Sequence, residues 1–301
     1  MTAATIASDQ DQLAFHPHFD VYAALGAALV IYEYAVRTLA PKYAPPGVPA
    51  VTRGQRASFY LGIAALLAVS VWPVHDIAEQ RLFSVHMVEH MVMWMVAPPL
   101  ILKGLPAWLL RAVLEPIMPL VRIATRPLVA LVVINTVIAA LHVPVVVELM
   151  STNDLLHLLD HTVLIAASFL MWWPVLDPIP EMATLAPFGK MGYLFLQSLV
   201  PTIPASFLTL GSEPLYGIYE TFPRLWGIDA MTDQVVAGLI MKIGGGLILW
   251  AVIAWVFFSW AAQEQRSEPP PLVVPVSYTH LTLPTTIKPW GSRWARGGCG
   301  G

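Results

Sequence analysis

Charge and cysteine are both scarce in this chain of 301 residues. Only 12% of the residues are Asp, Glu, Lys or Arg, about half the share of an ordinary soluble domain, so there is too little polar surface to wrap a water-soluble globule. That shortage excludes a disordered chain and argues against a soluble enzyme. A net charge of −3 leaves no basic footprint for a nucleic-acid partner. The one cysteine, Cys299, lies next to the C-terminal end, which rules out a disulfide framework, a Cys-x-x-Cys site and a thiolate metal centre in the folded part. The start of the chain also lacks a basic segment followed by an apolar run. Residues 1–20 therefore read as a polar extracytoplasmic segment rather than a cleavable signal, and the chain is expected to insert through its own helices.

What the chain has in abundance is apolar length. It is 57% hydrophobic with a mean hydropathy of +0.66. Stretches near the twenty residues a helix needs to cross a bilayer fall at 21–39, 57–74, 84–102, 127–149, 155–176, 187–210 and 233–260. The pattern predicts an all-α polytopic membrane protein, a seven-transmembrane-helix bundle spanning 21–262. Pro144, Pro201 and Pro204 predict kinks, and Gly244-Gly245-Gly246 predicts close helix packing. Lys and Arg crowd the loops of one side and leave only Arg81 and Arg224 on the other. By the positive-inside rule the N-terminus is outside and the C-terminus cytoplasmic. Residues 263–301 read as a cytoplasmic tail, disordered and in part artefactual, because VSYTHLTLPTT at 276–286 resembles a translated sequencing adapter.

With His280 set aside in that tail, the remaining histidines all fall on or near the outer side: His16, His18, His75, His86, His90, His142, His157 and His161. The sharpest feature is a motif that occurs twice, His86-Met-Val-Glu89-His90 and His157-Leu-Leu-Asp160-His161. Residues four apart share one helix face about 6 Å apart along the axis, so each pair aims two imidazoles at one place. The pairs open the third and fifth spans at similar depth, so two adjacent helices can present four imidazoles to each other. Glu89 and Asp160 stand where a carboxylate can orient a ring through its N–H, as metal-bound histidine requires. Ionisable residues inside a span are costly and point to function, whereas His75 and His142, near the surface, also suit plain interfacial hydrogen bonding.

Imidazole suits zinc, copper, iron and nickel, and thioethers from Met87 and Met91, on a face close to that of His90, favour copper(I). The methionine stripe of this span also serves ordinary packing. Asp233 and Gln234 open the last span, where an acid favoured by the helix dipole reads as well as a functional one. Glu33, within the first span, reads as a paired acid.

Read in order, HPHFDV at 16–21, LFSVHMVEHMVMWMVAPPLIL at 82–102, LHLLDHTVLIAASFLMWWPVL at 156–176, EPLY at 213–216 and DQVVAGLIM at 233–241 form a series. It resembles the CtaG family, assembly factors of caa3-type cytochrome c oxidase. The resemblance implies a seven-span protein of the bacterial inner membrane that is not an enzyme and helps to form the oxidase's copper centre. It singles out His86, His90, His157, His161, Asp233 and Gln234, with Pro98-Pro99 and Trp172-Trp173-Pro174 as framework. Asp160 departs from the family's usual Glu.

Residues and resemblance converge on copper held by His86, His90, His157 and His161, helped by Met87 or Met91. Glu89, Asp160, Asp233, Gln234, His142 and His75 are expected to stand around them, and the resemblance alone implies the partner within the lipid bilayer, a cytochrome c oxidase subunit carrying a copper centre. Three other readings use the same residues. H-x-x-E-H is an inverted zinc-protease signature, so a zinc-dependent membrane hydrolase is one. Haem ligated between helices is another, and a copper importer is the third.

Overall fold

With so few charges to solvate it, this backbone must satisfy its polar groups internally. In a computed structural model that describes residues 15–267, the regular elements among the described residues are all helical. Residues 1–14, His280, Cys299 and nearly all of the expected tail lie outside the described residues.

In chain order the helices are α1 (Phe19–Tyr43), α2 (Arg53–Val69), α3 (Val74–Gln80), α4 (Phe83–Gly104), α5 (Ala107–Ala124), α6 (Pro127–Leu141), α7 (Pro144–Thr152), α8 (Asp154–Leu176), α9 (Pro187–Leu210), α10 (Ile218–Thr221) and α11 (Ala230–Arg266). α1, α4, α8, α9 and α11 are long and apolar enough to cross a membrane. The total becomes seven if α2 with α3, bent by 46°, and α5 with α6, bent by 83°, each make one broken span. α4 is the central element: 61% of its most apolar window is buried, against 11% for α1, and α2, α8 and α11 pack around it.

Prolines and caps set the boundaries. Pro144 does more than kink the fourth apolar stretch: α6 stops at Leu141 and α7 starts afresh at Pro144, since proline suits a first helical turn and not an interior. Pro201 breaks α9 between Leu199 and Thr202, while Pro204 sits within the first turn of its second half. At α2, Thr52 accepts the Gln55 N–H at 3.1 Å and the Gln55 side chain accepts the Thr52 N–H at 3.0 Å, a complete capping box. The region between the third and fourth apolar stretches, expected as a connector, is the helix α5. Arg111 of α5 donates to Glu181 at 2.6 Å, and this contact holds the Glu181 carboxyl below the usual glutamate range.

Close packing is carried by glycines other than the expected triplet. A Cβ on Gly104 would lie 2.5 Å from the backbone nitrogen of Phe59, and one on Gly62 would lie 3.0 Å from that of Ile101, so α2 and α4 touch backbone to backbone. Gly238 brings α11 against α9 in the same way, with Leu208 Cβ 2.9 Å from the corresponding point. Of the triplet, Gly245 alone has a neighbour within 4 Å, the Met91 sulfur at 3.5 Å, since successive residues of a helix point about 100° apart.

That turn and its counterpart in α4 are wide π-type turns, Ile240–Gly244 and Val92–Val96. The cause in α4 is visible in the sequence. Pro98 and Pro99 carry no N–H, so the carbonyls four residues earlier, Trp94 and Met95, lose their helical donors. The Ala97 N–H instead bonds five residues back to Val92, and the Trp172 indole of α8 donates to the Trp94 carbonyl at 3.0 Å. Replacing Trp172 with Phe should leave that buried carbonyl unpaired and cost about 1–3 kcal/mol, read as a lower melting temperature in detergent. Trp173→Phe is the control: the Trp173 indole nitrogen has no hydrogen-bond partner among the described residues, so that change should cost less.

Candidate metal centre

The repeated motifs sit on α4 and α8, which pack against each other, and each helix is anchored differently. α8 carries its own cap: Asn153 accepts the Leu156 N–H at 3.1 Å and fixes the turn before His157. α4 has no local side-chain cap at Leu82. Its first turn is held from outside by Asp233 of α11, which accepts the N–H groups of Phe83 at 2.7 Å and Ser84 at 2.9 Å. Asp233 is thus a buried cap for another helix and positions the turn that carries His86. α11 is capped in its turn by Asp229, whose exposed carboxyl accepts the Thr232 N–H at 2.9 Å; hydrogen bonds from Thr232 hold that carboxyl below the ordinary aspartate range. Gln234 ties the chain around the site, accepting from the Leu215 N–H at 2.6 Å and donating to the Leu208 carbonyl at 3.3 Å.

The two pairs face one another. Ring centroids of His86 and His90 are 4.1 Å apart and those of His157 and His161 4.3 Å. Across the helices, His90 to His161 is 5.3 Å, His86 to His157 5.9 Å and His86 to His161 6.3 Å. The carboxylates are exchanged between the motifs. Glu89 of α4 takes the Nδ1 of His75 at 2.9 Å and lies 4.0 Å from that of His161, while Asp160 of α8 lies 3.2 Å from the Nε2 of His90. Sequence neighbours on a helix do not share a face, so Glu89 and Asp160 look across to other elements rather than along their own.

α3 supplies Glu79, an acid the sequence did not single out. It tips across the end of α2 and lays His75 and Glu79 beside His157: Glu79 Oε1 is 3.4 Å from His75 Nε2 and 3.0 Å from His157 Nε2. Glu79 stands four residues after His75, the same spacing that exposed the other pairs, but the polar segment between two spans read as a loop. Beyond it, His16 and His18 of the opening segment reach the two oxygens of Asp76 at 3.3 and 3.1 Å. The His18 ring lies 4.9 Å from that of His75.

His142 enters from the end of α6. Its Nδ1 donates to the Ile138 carbonyl at 2.7 Å, which leaves Nε2 as the free lone pair, the form that binds metal. It lines a cavity of about 170 Å³ together with His86, Met87, His90, His157 and Asp160. A second cavity of about 600 Å³ lies on the far side, against His18, His75, Glu79, His157 and His161. Met87 faces the first cavity. Met91 has its sulfur against Gly245 of α11.

This arrangement suits a cation. Glu89 is fully buried and Asp160 nearly so, and buried carboxylates need compensating positive charge. Glu89 Oε2, Asp160 Oδ1, His86 Nδ1, His142 Nε2 and His161 Nε2 are buried without a hydrogen-bond partner among the described residues. Donors bound about 2.1 Å from a tetrahedral metal lie about 3.4 Å from one another, close to the 3.0–3.4 Å separations around Glu79 and the 3.2 Å separation at Asp160.

The family model for the cytochrome c oxidase caa3 assembly factor, Caa3_CtaG, matches residues 30–263 and so takes in every helix of this site. The chain belongs to that family. The resemblance carried by the two histidine motifs is thereby confirmed across the bundle. The CtaG match covers His75, Glu79 and His142 as well as the paired histidines, while His16 and His18 precede it. No curated protein and no solved structure matches this CtaG chain.

Glu33, away from the centre, is paired as expected: it accepts the Tyr60 hydroxyl at 2.7 Å and lies 3.1 Å from Arg56.

Proposed function

We propose that this CtaG chain takes up copper at the extracytoplasmic end of its bundle and passes it to the cytochrome c oxidase subunit that forms a copper centre. The observation that carries this reading is the convergence of His86, His90, His157 and His161 around the buried carboxylates of Glu89 and Asp160, with His86 half-buried and the other three rings buried. The family match supplies the client, a caa3-type oxidase. The distribution of Lys and Arg supports an outside N-terminus and seven spans, with the bent pairs counted as one span each. The histidine end then lies on the extracytoplasmic side of the bacterial inner membrane.

The chain's own groups account for uptake and release. Imidazoles present neutral nitrogen donors, the two carboxylates offset the charge of the cargo, and the cavities give the client's side chains a way in. Copper leaves by ligand exchange, one imidazole replaced at a time by a donor of the oxidase subunit, so no bare ion forms. Met87 stands close enough to the cavity to add a thioether donor for copper(I). The protein acts here as a carrier, without turnover of a substrate.

Metal analysis of the purified protein tests this reading. Copper should copurify or rebind after stripping, and His86→Ala and His161→Ala should each lower binding and the copper content of the oxidase. Asp160→Asn should weaken binding by at least about 10-fold, since it removes the buried carboxylate beside His90. Protein that binds no copper, or oxidase with full copper content in both histidine variants, would overturn the proposal. Stoichiometric zinc with a peptidase activity lost in Glu89→Gln would replace it with the hydrolase reading, and a Soret band with the haem reading.

A further inference from the structure

The donors do not form one four-histidine cage. They divide into two sets that share no residue: His86, His90 and Asp160, and His75, Glu79 and His157, each with its ligand atoms within 4.8 Å of one another. We infer that the chain holds two metal ions at once, each bound by two imidazoles and one carboxylate, in neighbouring positions. The inference rests on the metal-carrier reading above and adds the number of ions and their ligands.

Three observations separate the positions. First, each set has its own carboxylate, Asp160 in one and Glu79 in the other, and neither carboxylate stands near the other set's histidine pair as closely as its own. Second, the sets open differently: His86, His90 and Asp160 line only the smaller of the two cavities, His75 lines only the larger, and Glu79 and His157 lie between and line both. Third, the His75 ring is already held for ligation. Its Nδ1 is taken by Glu89 at 2.9 Å, which directs Nε2 toward Glu79, the carboxylate–histidine arrangement that accompanies a bound metal. One function of Glu89 is thus to orient a ligand of the second position from α4, the helix that carries the first.

His161 belongs to neither set. Its ring lies 4.3 Å from His157 and 5.3 Å from His90, and its Nε2 is buried without a hydrogen-bond partner. It is placed to serve either ion, and so to pass one from the position at the larger cavity to the position at the smaller. Imidazole and carboxylate donors suit copper(II) or zinc better than copper(I), which prefers sulfur.

The test uses the full chain in detergent, stripped by chelator and titrated with copper(II) alone. Wild type should bind two equivalents, and its electron paramagnetic resonance spectrum should show the broadening of two nearby copper(II) ions. His75→Gln and Glu79→Gln should each bind one equivalent with a sharp, isolated signal, and so should His86→Gln and Asp160→Asn. Glu79→Asp, which keeps an oxygen donor, should restore the second equivalent, a rescue that a misfolded protein would not give. One equivalent in wild type, lost in His86→Gln and His75→Gln alike, would overturn the division into two positions and leave the carrier reading standing. No bound copper in wild type would overturn both.

Discussion

Replacing Asp233 with alanine is expected to destabilise the protein by about 3–5 kcal/mol, the range found when one partner of a buried charged pair is removed. Asp233 is 1% exposed and accepts two backbone N–H groups at the start of α4. With alanine, both donors are left in an apolar interior, and Arg224, 3.7 Å from the Asp233 carboxylate, loses its counter-charge. The first turn of α4 should fray, and because it holds His86, the proposed copper binding should fall with it. Asp233→Asn keeps an acceptor oxygen and should fall between alanine and wild type. Asp229→Ala removes a cap of the same chemistry at an exposed helix start and should cost only about 0.5–2 kcal/mol. Thermal unfolding in detergent, followed by circular dichroism, orders the three variants. Equal melting temperatures for Asp233→Ala and Asp229→Ala would mean that the buried cap carries no special share of stability.

The second large effect is steric. Gly104→Val places a branched side chain where a single added carbon would already lie 2.5 Å from the backbone nitrogen of Phe59. Overfilling a packed contact costs typically about 1–3 kcal/mol and occasionally more; here the obstacle is backbone, which cannot rotate aside, so a loss at or above the top of that range is expected. The contact also holds the Tyr32 hydroxyl, which donates to the Gly104 carbonyl at 3.1 Å, and the separation of α2 from α4 should release it. Gly26→Val is the comparison, since a Cβ there meets nothing within 4 Å. Retention of the wild-type melting temperature by Gly104→Val would show that α2 can move away at little cost.

The parts of this architecture that were legible in sequence are those written locally. The pairs His86/His90 and His157/His161 could be read because four-residue spacing on one helix needs no knowledge of the rest of the chain. The partners of Glu89 and Asp160 could not be read, because they depend on how α4, α8 and α3 are turned toward each other. α3 escaped because it is 7 residues long and polar, so it carries no apolar run, although its His75/Glu79 spacing was there to be seen. The stretch at 127–149 scored as one span because hydropathy sums over Pro144, whereas the backbone ends a helix there. The sequence leaves Asp233 equally an acid favoured by its own helix dipole and a functional one; that it caps α4 follows from contacts 149 and 150 residues away in sequence.

The wide turn at Val92–Val96 has one more outcome. Such a turn accommodates an extra residue, and one residue of a regular helix corresponds to a rotation of about 100°. The upper half of α4, with its histidines, is therefore set at a different azimuth from the lower half, where Gly104 meets α2. A single-residue deletion in this stretch would straighten the helix and swing His86 and His90 away from α8 with no histidine altered. Spacing along this stretch therefore sets where the histidine cluster forms, and an insertion or deletion there carries more weight than most substitutions.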